Sequence, residues 1–156
     1  MANESGISGP HISVAFMCEK ILVERDGVMS FIRVVDRFTV PIFENLPPGV
    51  QLPKPVIQAT LAVGMKAGSI GTGKFKITVK QQKPDGTPGT TQVQQVFFQG
   101  GEDIGNMLGF QMALPSPEEG LHWFDVYFEE ALLTRVPMRV MHQTATPFQI
   151  PGLGPQ

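Results

Sequence analysis

The sequence predicts an all-β chain: an antiparallel two-sheet β-sandwich of about eight strands. Three observations predict it. Apolar and polar residues alternate over short runs. Glycine and proline are plentiful, 17 and 14 of 156 residues, and fall mainly between those runs. One stretch near the C-terminus reads as a tight hairpin. There, Phe124, Val126 and Phe128 share one face, and Trp123, Asp125 and Tyr127 the other, because successive strand side chains alternate. The return strand repeats the pattern with Val136, Met138 and Val140. A lone hairpin cannot bury such a face, so it must close a larger sheet structure.

Taken in order, residues 1–10 are a polar leader with nothing to bury. The domain spans 11–142. His11 opens an alternating run (Ile12, Val14, Phe16, Cys18), and Ile21–Val23 leads into Asp26-Gly27, a strong hairpin pair. A helical spacing through residues 14–25 competes with the strand reading there. The strand from Val28 is apolar on both faces, as a central strand is. Pro41–Pro55 carries five prolines and reads as a long connection between sheets. Strands resume at Val56–Met65, with Ile57, Ala59, Leu61, Val63 and Met65 aligned, and at Lys74–Lys83, with Phe75, Ile77 and Val79 opposed to lysines. Pro84-Asp85-Gly86 is a turn. Thr91–Gln99 is a polar strand, Met107–Leu114 aligns Phe110, Met112 and Leu114, and the final hairpin follows. Residues 143–156 form a Pro/Gly-rich tail, apolar but broken by proline.

A chain of this length buries roughly 70% of its unfolded surface as a single domain. The formal net charge of -2 gives no global field for nucleic acid or an anionic membrane. One cysteine, Cys18, excludes an internal disulfide, and a reducing, cytoplasmic setting or an intracellularly assembled particle of bacterial or phage type is expected. Apolar runs fall far short of the roughly 20 residues that span a bilayer.

No motif carries recognisable catalysis. Gly68-Ser-Ile-Gly-Thr-Gly73-Lys74 matches part of a phosphate-binding loop, but Phe75 stands where Ser or Thr would meet Mg²⁺, and a strand pattern follows where a helix is required. His11, His122 and His142, with Cys18 and Asp125, lack the short spacings of a zinc site. Cys18, Ser13 and Ser30 have no nucleophile signature around them. Glu118-Glu119 and Glu129-Glu130 fall at turns, where solvated acids are common. No catalytic, metal-binding or cofactor-binding residue is expected.

The clearest charge feature is Lys74, Lys76, Lys80 and Lys83. A lysine row can track a phosphate backbone, and with the glycine-rich loop 64–73 it makes a polyanion site the alternative reading. The row has no interleaved aromatics for base stacking. A solvated face, or an edge strand guarded by lysine, is the better reading.

Two stretches carry a likeness: His11-Ile-Ser-Val-Ala-Phe-Met-Cys-Glu-Lys-Ile21, followed by Asp26-Gly27 and Phe31-Ile-Arg-Val-Val35, and the closing Gly120-Leu-His-Trp-Phe-Asp-Val-Tyr-Phe128. The chain resembles a bacterial family of small all-β proteins of unknown function over roughly His11 to Met141. The resemblance implies an immunoglobulin-like fold and no catalytic or binding residue. The expectation is an immunoglobulin-like or C2-like sandwich acting, without catalysis, as a protein-binding or structural assembly module. A protein partner or self-association as a homo-oligomer is expected, with no membrane, small-molecule substrate or cofactor. Phe97, Phe98, Phe148, Ile150 and Leu153 are the interface candidates, because contiguous exposed apolar area marks interfaces.

Overall fold

The structure is a computed structural model that describes residues 9–145. These residues form nine strands and no α-helix: β1 (His11–Val23), β2 (Met29–Val34), β3 (Arg37–Phe43), β4 (Val56–Lys66), β5 (Thr72–Gln82), β6 (Pro88–Gln99), β7 (Gly105–Pro115), β8 (Gly120–Phe128) and β9 (Ala131–Ala145). They make two sheets, a four-stranded one in the order β2-β1-β4-β7 and a five-stranded one in the order β3-β9-β8-β5-β6. Among the described residues, no helix is long and apolar enough to cross a membrane.

Period-two alternation sorts the core as expected. Ile57, Leu61, Val63, Phe110 and Met112 from the first sheet join Ile77, Val79, Phe124, Val126 and Met138 from the second in one buried cluster. Phe75 links strands within it, 4.9 Å from the Phe128 ring and 6.0 Å from Phe98. Truncating one of these phenylalanines removes about 3–5 kcal/mol, the usual cost of a buried aromatic cavity.

One open choice is decided and three expectations are corrected. Residues 14–23 are strand and not helix, because β1 is paired on one side with β4 and on the other with β2; that pairing outweighs a local helical spacing. The strand after Val28 lies at an edge, not in the centre. Its two apolar faces arise because β2 folds with the end of β1 beyond the sheet, where Phe31 meets Phe16 edge-on at 4.9 Å. Proline does not keep Arg37–Phe43 out of a sheet. This ninth strand, β3, carries Pro41 at the margin of the five-stranded sheet, where a missing N–H leaves no central ladder broken. It runs parallel to β9, so the pairing is not wholly antiparallel, and it holds residues 143–145 in β9 where a tail was expected. Finally, the lysine strand β5 sits between β8 and β6 and is not an edge strand.

The β8–β9 hairpin turns at Glu129, which has φ +49°. The strain is offset locally: the Glu129 N–H donates to the Lys76 carbonyl at 2.8 Å and its carboxylate accepts the Lys76 N–H at 2.7 Å. A turn residue thus extends the β5–β8 ladder.

The two sheets meet along β6 and β7 through side-chain amides. Gln94 Nε2 donates to the Gly109 carbonyl at 2.9 Å, Gln92 Nε2 donates to the Gln111 carbonyl, and Asn106 Nδ2 returns a bond to the Phe97 carbonyl at 3.0 Å. These bonds satisfy backbone groups that edge strands leave unpaired.

Candidate functional site

The five-stranded sheet turns one face to the core and the other outward, and alternation decides what that outer face carries. From β5 come Lys74, Lys76, Thr78, Lys80 and Gln82; from β8, Trp123, Asp125 and Tyr127. From β9 come Arg135, Pro137 and Arg139. Register then sets rows across the strands: Lys80 beside Asp125 beside Arg135, Gln82 beside Trp123 beside Pro137, and Thr78 beside Tyr127. Arg37 of β3 lies beside Arg139, and Phe97 of β6 beside Lys74.

The side chains of these rows touch. Lys80 Nζ lies 4.8 Å from the centroid of the Tyr127 ring, and the Arg135 guanidinium 4.9 Å from that of Trp123. Both are cation–π distances. Arg135 Nε also donates to Asp125 at 2.6 Å, and its Nη2 donates to Gln82 Oε1 at 2.7 Å. The lysine row is therefore flanked by aromatics supplied by the neighbouring strand, which a reading along one strand could not reveal.

Of the predicted polyanion residues, Lys74, Lys76 and Lys80 share this face, while Lys83 lies beyond β5 and donates to Glu118 at 3.0 Å. Lys83 stands three residues after Lys80, off the every-second-residue alternation that Lys74, Lys76 and Lys80 keep, so the row of four is three and one. The glycine-rich loop 64–73 is mostly not a loop: Gly64 lies in β4 and Gly73 in β5, with a single 3₁₀ turn at Gly68–Ile70 between them.

Of the interface candidates, Phe97 is 47% exposed, whereas Phe98 is fully buried. Adjacent strand residues point to opposite faces, and Phe98 is the one turned inward. Phe148, Ile150 and Leu153 lie outside the described residues.

The titratable residues singled out are held structurally. His122 is buried: its Nε2–H donates to the Glu118 carbonyl at 2.8 Å, and its Nδ1 accepts from Gln81 Nε2 at 3.0 Å. A carbonyl only accepts, so this geometry assigns the proton to Nε2. Gln81 Oε1 in turn accepts the Thr90 N–H at 3.0 Å. Gly89 is required for the close approach, since a Cβ there would sit 2.2 Å from Gln81 Oε1. His142 Nε2 donates to the Pro117 carbonyl at 2.9 Å, and Glu119 accepts the His142 N–H at 2.9 Å. His11 begins β1 opposite Lys66. Cys18 is buried and directs its thiol at the Thr60 carbonyl, 3.6 Å away; desolvation pushes this thiol up from its ordinary range. Ser30 donates to Glu24 at 2.8 Å, and Ser13 is exposed on β1. Among the described residues, no group of three His, Cys, Asp or Glu side chains is placed to hold a metal ion.

A second surface was missed in sequence. The β1–β2 hairpin leaves Val23, Val28 and Val34 at 67%, 60% and 62% exposure, with Ile32 also exposed. Of its two arginines, Arg33 is paired with Glu19 at 2.9 Å, and Arg25 is exposed in the turn. The apolar character is legible in the sequence, where it fits a central strand equally well.

No protein-family model matches the chain. No curated protein matches it either. Among solved structures, a β-glucosidase from Listeria innocua in complex with isofagomine aligns at TM-score 0.47 and 13% identity, over 85% of this chain and 16% of that one. A β-glucuronidase from Bacteroides uniformis aligns at 0.46 and 13%, over 56% and 12%. An alkylpurine DNA glycosylase from Pseudomonas fluorescens, bound to DNA containing an abasic site analog, aligns at 0.46 and 9%, over 81% and 30%. The chain spans less than a third of the length of each of these proteins, and at such scores none of the likenesses bears on activity.

Proposed function

We propose that this chain is an immunoglobulin-like β-sandwich acting as a non-enzymatic, self-associating assembly module through its β1–β2 hairpin. The strand order supports the fold. β4 to β5, β6 to β7 and β7 to β8 each cross between sheets, so β1, β4 and β7 take the places of strands A, B and E, and β5, β6, β8 and β9 those of C, C′, F and G. The split of the N-terminal region between β1 in one sheet and β3 beside β9 in the other agrees with this assignment. Phe98, Phe110 and Phe124 pack together in the core, and Cys18 is free.

The observation that carries the function is a set of exposed apolar residues on one hairpin at a sheet edge, with Ile32 and Val34 on one face of the ribbon, Val23 on the other and Val28 at the turn. Apolar residues of this kind are complementary to their own copy, which is what a two-fold interface requires; Arg33 is paired with Glu19, while Lys20 beside Ile32 and Arg25 in the turn carry the hairpin's other cations. Light scattering during gel filtration tests the reading. The native chain is expected above the monomer mass of 17.0 kDa, with a concentration-dependent profile, and Val28→Asp combined with Val34→Asp is expected at that mass. A native chain that stays monomeric across the concentration range overturns it.

A further inference from the structure

The outer face of the five-stranded sheet has a different character from the hairpin, and a different partner follows from it. Six of the chain's 12 lysines and arginines stand there: Arg37, Lys74, Lys76, Lys80, Arg135 and Arg139. The chain as a whole is net negative at -2, so its charge is segregated. The carboxylates within reach are each engaged: Asp125 with Arg135, Glu130 with Lys76 at 3.5 Å, and Asp36 with Arg37 at 3.6 Å. Lys74, Lys80 and Arg139 have no carboxylate within ion-pair distance among the described residues.

We propose that this face docks an extended acidic segment of a partner protein. Charge complementarity selects the sign of the partner, and repulsion between like charges excludes a second copy of the same face. Geometry selects its form. Alternate side chains on a strand stand about 7 Å apart, so the β5 lysines and an extended chain bearing carboxylates at every second residue have matching spacings. The aromatic rings argue against a nucleic acid. Base stacking along a strand needs successive open rings, and Trp123 and Tyr127 each already carry a cation at 4.8–4.9 Å, which leaves Phe97 beside Lys74 as a single open ring. Those same contacts hold Lys80 and Arg135 in place, which lowers the ordering cost of binding a carboxylate. The proposal does not depend on self-association through the hairpin, which lies in the other sheet.

Trp123 is the chain's one tryptophan and lies within the face, so its emission reports occupancy directly. The probe is a dye-labelled peptide of alternating glutamate and serine, about ten residues long, enough to follow the lysine strand. Saturable binding, a change in Trp123 emission and weakening as salt rises from about 0.05 M to about 0.5 M are expected. K74E/K80E/R139E is expected to lose about tenfold or more in affinity, while K20E/K54E, whose charges lie off this face, keeps native affinity. Thermal unfolding verifies that each variant folds, and K74Q/K80Q replaces the charge reversal if that variant does not. Absence of saturable peptide binding, equal loss in K20E/K54E, or tighter binding of a ten-nucleotide thymidine strand than of the peptide overturns the proposal.

Discussion

The two sides of the molecule treat their sheet edges in opposite ways. Where β6 faces β7, Gln92, Gln94 and Asn106 reach across to backbone carbonyls, and the edges are closed by the protein's own amides. At the β1–β2 hairpin no such side chain intervenes among the described residues, and valines face solvent. Unpaired strand edges invite association, so a chain that closes one pair and leaves another apolar restricts where association occurs. The difference lies in side-chain chemistry: amides carry donors that a carbonyl accepts, and valine carries none.

The largest test of that contrast compares residues buried on the closed side with residues exposed on the open one. Phe98→Ala is expected to lower stability by about 3–5 kcal/mol, whereas Val34→Ser in the monomer is expected within about 0.5 kcal/mol of native. Denaturant melts under dilute conditions read both, and similar losses would erase the distinction.

A smaller effect probes the seam itself. Removing both glutamine amides in Q92A/Q94A leaves the Gln111 and Gly109 carbonyls without these donors, and a loss of about 1–3 kcal/mol is expected by the same melts. The companion result is new concentration-dependent association in the variant, since the edge of β7 is then open.

The smallest effect concerns the β5–β6 turn next to the seam. Asp85 accepts from the Thr87 hydroxyl at 2.6 Å and the Thr87 N–H at 3.0 Å; the hydroxyl bond first, then the N–H, holds its carboxyl below the usual range. A depressed folded-state value means that the contribution is complete above the unfolded value, near pH 4, and is lost as pH falls through the folded one. Thermal melts of native and Asp85→Ala protein are therefore expected to differ at pH 7 and to converge in acid. A difference that widens in acid would contradict the assignment.

Much of this architecture was readable in the chain. Residues 57, 59, 61, 63 and 65, residues 110, 112 and 114, and residues 124, 126 and 128 all turn inward as alternation requires, because the pleat acts on each residue through its immediate neighbours. The candidate site was readable only in part. Lys74, Lys76 and Lys80 share a face by the same local rule, but Trp123 and Tyr127 join them through strand order, and nothing within β5 encodes that its neighbour is β8. Phe97 and Phe98 differ by one position, and only the register of β6 against the core decides which is exposed.

Local rules thus settled most of the strands, the inward residues and the turns at Asp26-Gly27 and Pro84-Asp85-Gly86, since each depends on backbone geometry within a few residues. Long-range pairing settled the rest: β3 running parallel to β9, β2 at an edge, and lysines set against aromatics from the adjacent strand. Those outcomes depend on how residues distant in the chain share hydrogen bonds and buried area, quantities that no single segment carries.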